Sequence, residues 1–289
     1  TGDGQRMVQE AGGDIVNGEI MLGPEIRLIA PPITKFIDLI PPIKPIALAM
    51  RWAMNYLPSW LLRPFLMMFI TTNLAPSLNL FKKGAILVNK EGKRFVDERN
   101  DPELAIPRQP ERIAYVLMDQ KIAAEFGAWP NFVSTAPGVA YAYLEDYRRN
   151  RKDVFFEAET LGELAAKLGM PAGALEKAVA EYNSNLPPGM PPIDRAPYCA
   201  LGPAKSWIVF TDGGARINSK FQVVNRDGQP IGGLYAAGSA GQGGVLLEGH
   251  GHHLGWAFVS GRLAGRSAAL GDAEWTEAAL AARRAGQAK

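Results

Sequence analysis

The feature that most constrains the fold is a strand, a glycine-rich loop and a helix that follow one another in the last third of the sequence. Residues 233–238 form a short, apolar segment that favours a β-strand. Residues 238–251 contain six glycines, and residues 254–270 carry apolar and small residues at helical spacing. Small residues let a backbone approach a ligand closely, and N–H groups at a helix start point outward. The segment therefore predicts a site for an anion or for the edge of a polarised ring.

Two observations narrow the class of ligand. The loop is not G-x-G-x-x-G, and no copy of that dinucleotide fingerprint lies between a strand and a helix elsewhere. The 31 lysines and arginines nearly cancel the 29 acidic residues, without a basic stripe of interleaved aromatics. We therefore expect no nucleic-acid partner.

The single Cys199 cannot form an intrachain disulfide, which favours a reducing, cytoplasmic location and a packed thiol.

Several motifs occur in an order that resembles one known family. They are "TGDG" at residues 1–4, "GAILVNKEGKRFVDE" at 84–98, "TLGELAAKLGMPAGALEKAVAEYN" at 160–183, "TDGGARIN" at 211–218, and "GQPIGGLYAAGSAGQGG" with "LGWAFVSGRLAGRSAA" after it. The sequence resembles the fumarate reductase and succinate dehydrogenase flavoprotein family, which includes the 3-ketosteroid dehydrogenases. That resemblance implies bound FAD.

The resemblance also implies a fold and a division of the chain. The expected class is α+β, with part of an FAD-binding flavin domain and an inserted α+β capping domain. Residues 1–25 and 207–289 would belong to the flavin domain and residues 26–206 to the cap. The family's N-terminal portion, which holds the adenosine and pyrophosphate of FAD, has no counterpart here. We therefore expect a missing N-terminal segment or a partner chain to complete the site.

The implied flavin contacts lie in three segments. They are Asp3 in the "TGDG" motif, Gly238 and Ser239 after the short strand, and Gly251, His252 and Leu254 at the start of the last helix. The family usually has glutamate where Ser239 stands, so we expect one contact to the ribityl chain to be weaker.

The implied substrate contacts depart from those of fumarate reductases. Glu248 stands where the resemblance places a carboxylate-clamping arginine, and Val209 or Phe210 stands where it places a substrate histidine. A dicarboxylate would meet repulsion and an unpaired charge there. We therefore expect neither fumarate nor succinate as substrate, and predict that Phe210, Glu248 and Gly251 face a lipophilic one.

All three histidines, His250, His252 and His253, lie within four positions and allow three interpretations. One is a hydrogen-bonded group at a crowded helix start. Another is proton transfer beside the flavin, for which we favour His250 and His252. The third is a metal-binding module that uses Glu248 with the three histidines, although adjacent His252 and His253 point in different directions on a helix.

Two arginines beside the 84–98 motif are candidates for different roles. The resemblance leaves the cap's proton-delivering arginine without an aligned counterpart, and Arg99 is near enough in sequence to replace it. Arg94 is expected to form a structural ion pair.

Residues 26–81 are the most apolar part of the sequence, but prolines and polar residues interrupt it. Trp52, Tyr56 and Trp60 beside basic residues would suit a membrane interface. We expect buried helices of a lid or subunit contact there, rather than a transmembrane span or contact with a membrane surface.

Shorter patterns predict local structure. Asp3 is expected to cap the first helix, residues 85–98 to form a β-hairpin, Asp119 and Thr160 to cap helices, and Gly169 to end one. With the resemblance, these patterns predict part of an FAD-dependent oxidoreductase that moves hydride at a carbon beside an activating carbonyl. The substrate is expected to be steroid-like or acyl. The alternative is a non-catalytic fragment or subunit.

Overall fold

The structure, a computed structural model, describes residues 2–31, 40–41, 43–136, 138–247 and 250–286, without the side chains of 22, 59, 250 and 272–286. The chain divides into two compact units. Unit 1 consists of Thr1–Pro24 and Ile208–Lys289, and unit 2 of Glu25–Trp207. Both contain helices and strands, which confirms the predicted α+β class.

Unit 1 is built from short elements and one long helix. These are α1 (Asp3–Glu10), β1 (Ile15–Val16), β2 (Met21–Leu22), β10 (Phe210–Thr211), β11 (Gly214–Ala215), β12 (Gln222–Val224), β13 (Pro230–Tyr235) and α10 (His250–Gly286). The strands pair antiparallel as β1 with β11, β2 with β10, and β12 with β13. A small core of Val8, Ala215, Val223 and Ala236 joins the β1–β11 and β12–β13 pairs to α1.

Unit 2 contains a five-stranded antiparallel sheet. Its elements are β3 (Glu25–Leu28), α2 (Lys44–Tyr56), α3 (Ser59–Asn73), α4 (Asn79–Lys82), β4 (Ile86–Asn89), α5 (Pro102–Ala105), β5 (Ala114–Met118), α6 (Gln120–Glu125), β6 (Ser134–Ala136), β7 (Ala140–Ala142), α7 (Leu144–Asn150), β8 (Phe155–Ala158), α8 (Leu161–Leu168), α9 (Ala174–Ser184) and β9 (Tyr198–Trp207). The sheet order is β4, β5, β9, with β8 and β3 both paired to β9.

The centre of this sheet is covered on both faces. All residues of β4 and β5 are buried, as their unbroken apolar sequences favour. Cys199 on β9 is 1% exposed, which confirms the packed thiol. Burial and the nearby Glu157 carboxylate raise the pKa of this thiol to about 12, because both disfavour the thiolate.

The predicted helix caps of unit 2 are confirmed. The Asp119 carboxylate accepts from the Ile122 N–H, and the Thr160 hydroxyl accepts from the Glu163 N–H. Gly169 ends α8 in the left-handed conformation. Arg94 pairs with the buried carboxylate of Glu98 through Nη2 at 2.7 Å, as expected for a structural ion pair.

Three local predictions were wrong. Gly2, at φ 81°, is the N-cap of α1, and Asp3 is instead an acid of the first turn, paired with Arg6. The 85–98 segment turns back after β4 but pairs with it only at one antiparallel bridge, between Val88 and Arg94, so residues 94–98 form no second strand. Finally, none of the thirteen residues of α2, all of which are described, is buried.

Within the described residues, no helix has both the length and the apolar character needed to cross a membrane. The predicted amphipathic helix of residues 254–270 lies within α10, whose helical geometry is interrupted at Gly271, φ 68°.

Candidate functional site

The glycine-rich turn after β13 brings backbone segments into direct contact. Residues Gly238–Gly241 form a 3-10 turn. A Cβ at Gly241 would lie 2.5 Å from the carbonyl carbon of Ala236, and one at Gly243 would overlap the carbonyl oxygen of Gly214. The second glycine of "TDGG" therefore packs against the turn, and neither position tolerates a side chain.

Replacing Gly243 by alanine is expected to destabilise unit 1 by about 1–3 kcal/mol, because the methyl group must displace backbone. Gly232→Ala is the matched control, since a Cβ there meets no described heavy atom within 4 Å. Chemical denaturation, followed by the fluorescence of Trp256 and the other tryptophans, measures the difference. Equal stability of the two variants would contradict the described packing.

The first residues of the chain lie beside this turn. A Cβ at Gly4 would lie 3.4 Å from that of Ala240. The Asn17 side-chain amide donates to the Gly243 carbonyl at 3.0 Å. The "TGDG" motif and the turn, which are more than 230 residues apart in sequence, therefore form one continuous surface of unit 1.

Helix α10 is anchored to the turn from the other side. The Trp256 indole N–H donates to the Gly238 carbonyl at 3.1 Å, and the Gly238 N–H donates to the Ser260 hydroxyl at 2.9 Å. Ser260 is fully buried. These bonds set the position of the first turns of α10 relative to the glycine turn.

Four side chains form a polar and aromatic cluster next to these elements. The rings of Phe210 and His253 stack with centroids 3.7 Å apart and an interplanar angle of 13°. Nε2 of His253 lies 3.5 Å from Oδ1 of Asp212 and 3.3 Å from Nε2 of Gln242. The Gln242 amide also donates to the Asp212 carboxylate. Gln242 and Asp212 are buried, so this cluster holds the first turn of α10 against β10.

Sequence reasoning missed His253, Asp212 and Gln242 as members of one cluster. The available signal was Asp212, the only acidic residue of the "TDGGARIN" motif. A buried carboxylate needs polar neighbours, and the structure supplies them from the turn and from α10.

The predicted residues of α10 are partly described. His252 and Leu254 are exposed. Successive helical residues lie about 100° apart, so His252 projects in a different direction from the packed His253. Gly251 belongs to the same first turn. Glu248 and the side chain of His250 lie outside the described residues.

The other predicted residues are placed as follows. Ser239 is exposed in the 3-10 turn, directly after Gly238. The Asp3 carboxylate is exposed and paired with Arg6. Arg99, in unit 2, binds both carboxylate oxygens of Asp97, through Nε at 2.9 Å and Nη2 at 2.6 Å. That bond lowers the pKa of Asp97 to about 2 and raises the pKa of Arg99.

The described residues add no ligands to the metal site considered for Glu248 and the three histidines. Among the residues that the structure describes, no group of three or more histidine, cysteine or acidic side chains could hold a metal ion. His253, which that alternative used, instead stacks on Phe210.

The surface of the turn fits the edge of a planar cofactor. A Cβ at Gly238 or Gly244 would meet no described heavy atom within 4 Å, in contrast to Gly241 and Gly243. Bare backbone is therefore open on one side and packed on the other. The start of α10 adds N–H groups that lack partners within the helix. Residues of unit 1 thus fit a flavin ring, whose carbonyl and ring nitrogen edges accept hydrogen bonds.

Comparisons with known proteins agree with this description. Residues 62–247 match the family described as "FAD binding domain". The chain is 32% identical over 200 residues to NADH:acrylate oxidoreductase of Vibrio harveyi, covering 63% of this chain and 18% of that protein. It is 28% identical over 238 residues to 4-oxocyclohexanecarboxylate 2-dehydrogenase of Sinomonas cyclohexanicum, and this match covers 69% of this chain and 39% of that protein.

The fold is also similar to that of a solved structure. The open conformation of a flavocytochrome c3 fumarate reductase superposes with a TM-score of 0.58 at 23% identity, covering 93% of this chain and 40% of that one. The chain therefore spans well under half the length of these similar proteins.

Proposed function

Because the chain belongs to the FAD-dependent fumarate reductase and succinate dehydrogenase flavoprotein family, we propose that unit 1 holds the flavin ring and supports hydride transfer at a carbon next to a carbonyl. The observation that carries this proposal is the open backbone of the glycine turn beside the first turn of α10. Bound FAD supplies a hydride donor and acceptor. The chain's own residues bind the flavin, orient the substrate and transfer protons.

The residues that would hold the flavin come from the predicted segments. Gly238 and Ser239 offer backbone at the open side of the turn, and the "TGDG" motif lies against the same turn. Gly251 and its neighbours add the positive end of the α10 dipole, which stabilises negative charge on the flavin or on a substrate oxygen.

His252 is the proposed proton donor, with His250 as the neighbouring candidate. The support is the packing of His253, whose stacking on Phe210 fixes the first turn of α10. His252 is then presented on the exposed side of that turn. Histidine suits proton transfer near neutral pH. Arg99 remains a proposed second proton-transfer group, held in unit 2 by Asp97.

The proposed substrate is a lipophilic carbonyl compound, steroid-like or acyl, rather than a dicarboxylate. Phe210 presents an aromatic ring beside His253, and Glu248 would repel an anion. A similar protein from Sinomonas cyclohexanicum is named 4-oxocyclohexanecarboxylate 2-dehydrogenase. That name describes a ring ketone with one carboxylate, which supports chemistry beside a ketone. In this proposal unit 1 is the flavin domain and unit 2 the cap.

A second candidate function is a subunit or fragment that completes an FAD site with another polypeptide. One face of α10 favours it: Leu254, Phe258, Gly261 and Gly265 recur at spacings of four, three and four residues, and all are exposed. Phe258 is 79% exposed. The packed side chains of Ser260, Ala264 and Ser267 lie on the opposite face. An apolar face with small residues is suited to close packing against another element.

Titration of the purified 289-residue chain with FAD tests the proposal. We expect saturable binding, seen as a change in the flavin absorbance and fluorescence. Gly244→Val, which fills the open side of the turn, should weaken binding at least about tenfold, since overlap costs about 1–3 kcal/mol. Gly232→Val on β13 is the matched control and should bind like the wild type.

The outcomes separate the two candidates. Binding by the wild type and loss in Gly244→Val support a flavin site at the turn. Binding that needs an added flavoprotein segment favours the second candidate. Equal binding by both variants would contradict a flavin at this turn.

A further inference from the structure

Helices α2 and α3 each expose large apolar and aromatic side chains. Of the thirteen residues in α2 none is buried, and α3 buries Met67, Ile70 and Thr71 only in its second half. We call the exposed set the helix-pair surface. It consists of Leu48, Trp52 and Tyr56 on one side of α2, and of Trp60, Leu61, Phe65 and Phe69 on α3. Soluble proteins rarely expose so many large apolar residues together unless the surface binds something.

The exposed apolar side chains recur at four-residue spacing on each of the two helices. Leu48, Trp52 and Tyr56 recur every four residues on α2 and so form one stripe. The rings of Trp52 and Tyr56 lie 5.9 Å apart. On α3, Leu61, Phe65 and Phe69 repeat the same spacing. Each helix therefore presents an apolar stripe to its surroundings.

The charge of this segment has one sign. Residues 39–90 contain no aspartate or glutamate, and their charged residues are Lys44, Arg51, Arg63, Lys82, Lys83 and Lys90. On α2, Lys44 and Arg51 are both exposed and lie on the same side of the helix, seven residues apart. This polar stripe flanks the stripe of Trp52 and Tyr56.

We propose that the helix-pair surface lies on an anionic lipid bilayer, with Trp52, Tyr56 and Trp60 at the level of the headgroups. Trp and Tyr favour that level because their rings are apolar and their N–H and O–H groups are polar. Trp52 is 58%, Tyr56 73% and Trp60 72% exposed, so their rings are available. Lysine and arginine beside them attract anionic headgroups.

The charge pattern favours lipid over a second copy of the chain. Arg63 and Lys83 pair with acidic residues of other elements, Asp146 and Glu125. Two copies that met through α2 would still bring Lys44 and Arg51 together without any acidic residue of the segment to pair with them. Helix α2 has 13 residues and α3 has 15, both shorter than the roughly 20 apolar residues that span a bilayer. The pair therefore lies on the surface. This inference is independent of the flavin chemistry.

Co-sedimentation of the full chain with vesicles tests the proposal. We expect binding to vesicles of phosphatidylcholine mixed with phosphatidylglycerol, weaker binding to phosphatidylcholine alone, and weakening by salt. Trp52→Ala/Trp60→Ala should lower the partition coefficient at least about tenfold, because two interfacial anchors are lost. Lys44→Glu/Arg51→Glu should lower it similarly for the anionic vesicles and remove the preference for them.

The matched control is Leu104→Ala/Trp207→Ala, which removes two exposed large apolar side chains of unit 2 away from the helix pair. This control should bind like the wild type. Circular dichroism should show all variants folded, since the changed side chains are exposed. Failure to bind anionic vesicles, or equal loss in the control, would overturn the proposal. Concentration-dependent dimerisation that is lost in Trp52→Ala/Trp60→Ala, without vesicle binding, would identify a second copy instead and overturn it too.

Discussion

Replacing His252 by glutamine in the FAD-loaded protein is expected to lower the rate of substrate reduction by about 10²- to 10⁴-fold, the usual contribution of a positioned general acid. Glutamine keeps a polar side chain of similar length but cannot donate and recover a proton at neutral pH. Because His252 is exposed, the melting temperature should remain close to that of the wild type. The rate is compared at saturating FAD, since His252 is also an expected flavin contact. Anaerobic stopped-flow measurement of flavin reoxidation gives the rate.

His253→Phe is the matched control. Phenylalanine can preserve the stacking on Phe210 but removes the ring nitrogen that faces Asp212 and Gln242. We expect a lower melting temperature and a rate within about tenfold of the wild type, because a buried carboxylate loses one polar neighbour while no proton donor is removed. A His252→Gln rate within threefold of the wild type, taken here as about the error of such comparisons, would exclude His252 as the donor.

Replacing Arg151 by methionine is expected to destabilise unit 2 by about 3–5 kcal/mol. Arg151 is fully buried, and its guanidinium binds both carboxylate oxygens of Asp153 at 2.9 Å. It also donates to the carbonyls of Thr71 at 2.7 Å and Ile29 at 2.5 Å. Methionine fills much of the space but leaves these acceptors without their donor. Urea denaturation monitored by circular dichroism measures the free energy of unfolding.

Arg148→Met provides the comparison for this change. Arg148 is an exposed arginine of α7, the helix that Arg151 follows as C-cap, and pairs with Glu145 and Glu157. Exposed ion pairs contribute about 0–1 kcal/mol, so this variant should unfold close to the wild type. Similar losses in both variants would mean that Arg151 does not join the segments around Ile29, Thr71 and Asp153.

Local chemistry made part of the fold predictable. Asp119, Thr160 and Gly169 act on backbone groups within a few residues, so their capping roles can be read from spacing alone. The glycine turn was predictable for a related reason, since close backbone approach requires glycine at positions such as Gly241. The family was predictable because several such motifs occur in one order.

Contacts distant in sequence were not predictable in the same way. Asp212 and Gln242 are 30 residues apart and meet because Gly214, two residues after Asp212, packs against the backbone of the turn at Gln242. The 85–98 hairpin is reduced to one bridge, and the Glu98 side chain, rather than a second strand, accepts from the Leu87 N–H of β4; the pairing of β4 with the more distant β5 was not predicted. Likewise, the apolar sequence of α2 indicated burial, but composition does not specify which surface a neighbouring element covers.

The most direct test of the account is the flavin spectrum of the FAD-loaded chain, reduced without oxygen and then mixed with cyclohex-2-enone or with fumarate. The account predicts that the flavin stays bound and that the enone reoxidises it much faster than fumarate does. Release of the flavin, or faster reoxidation by fumarate, would contradict a lipophilic enone site at the glycine turn of unit 1.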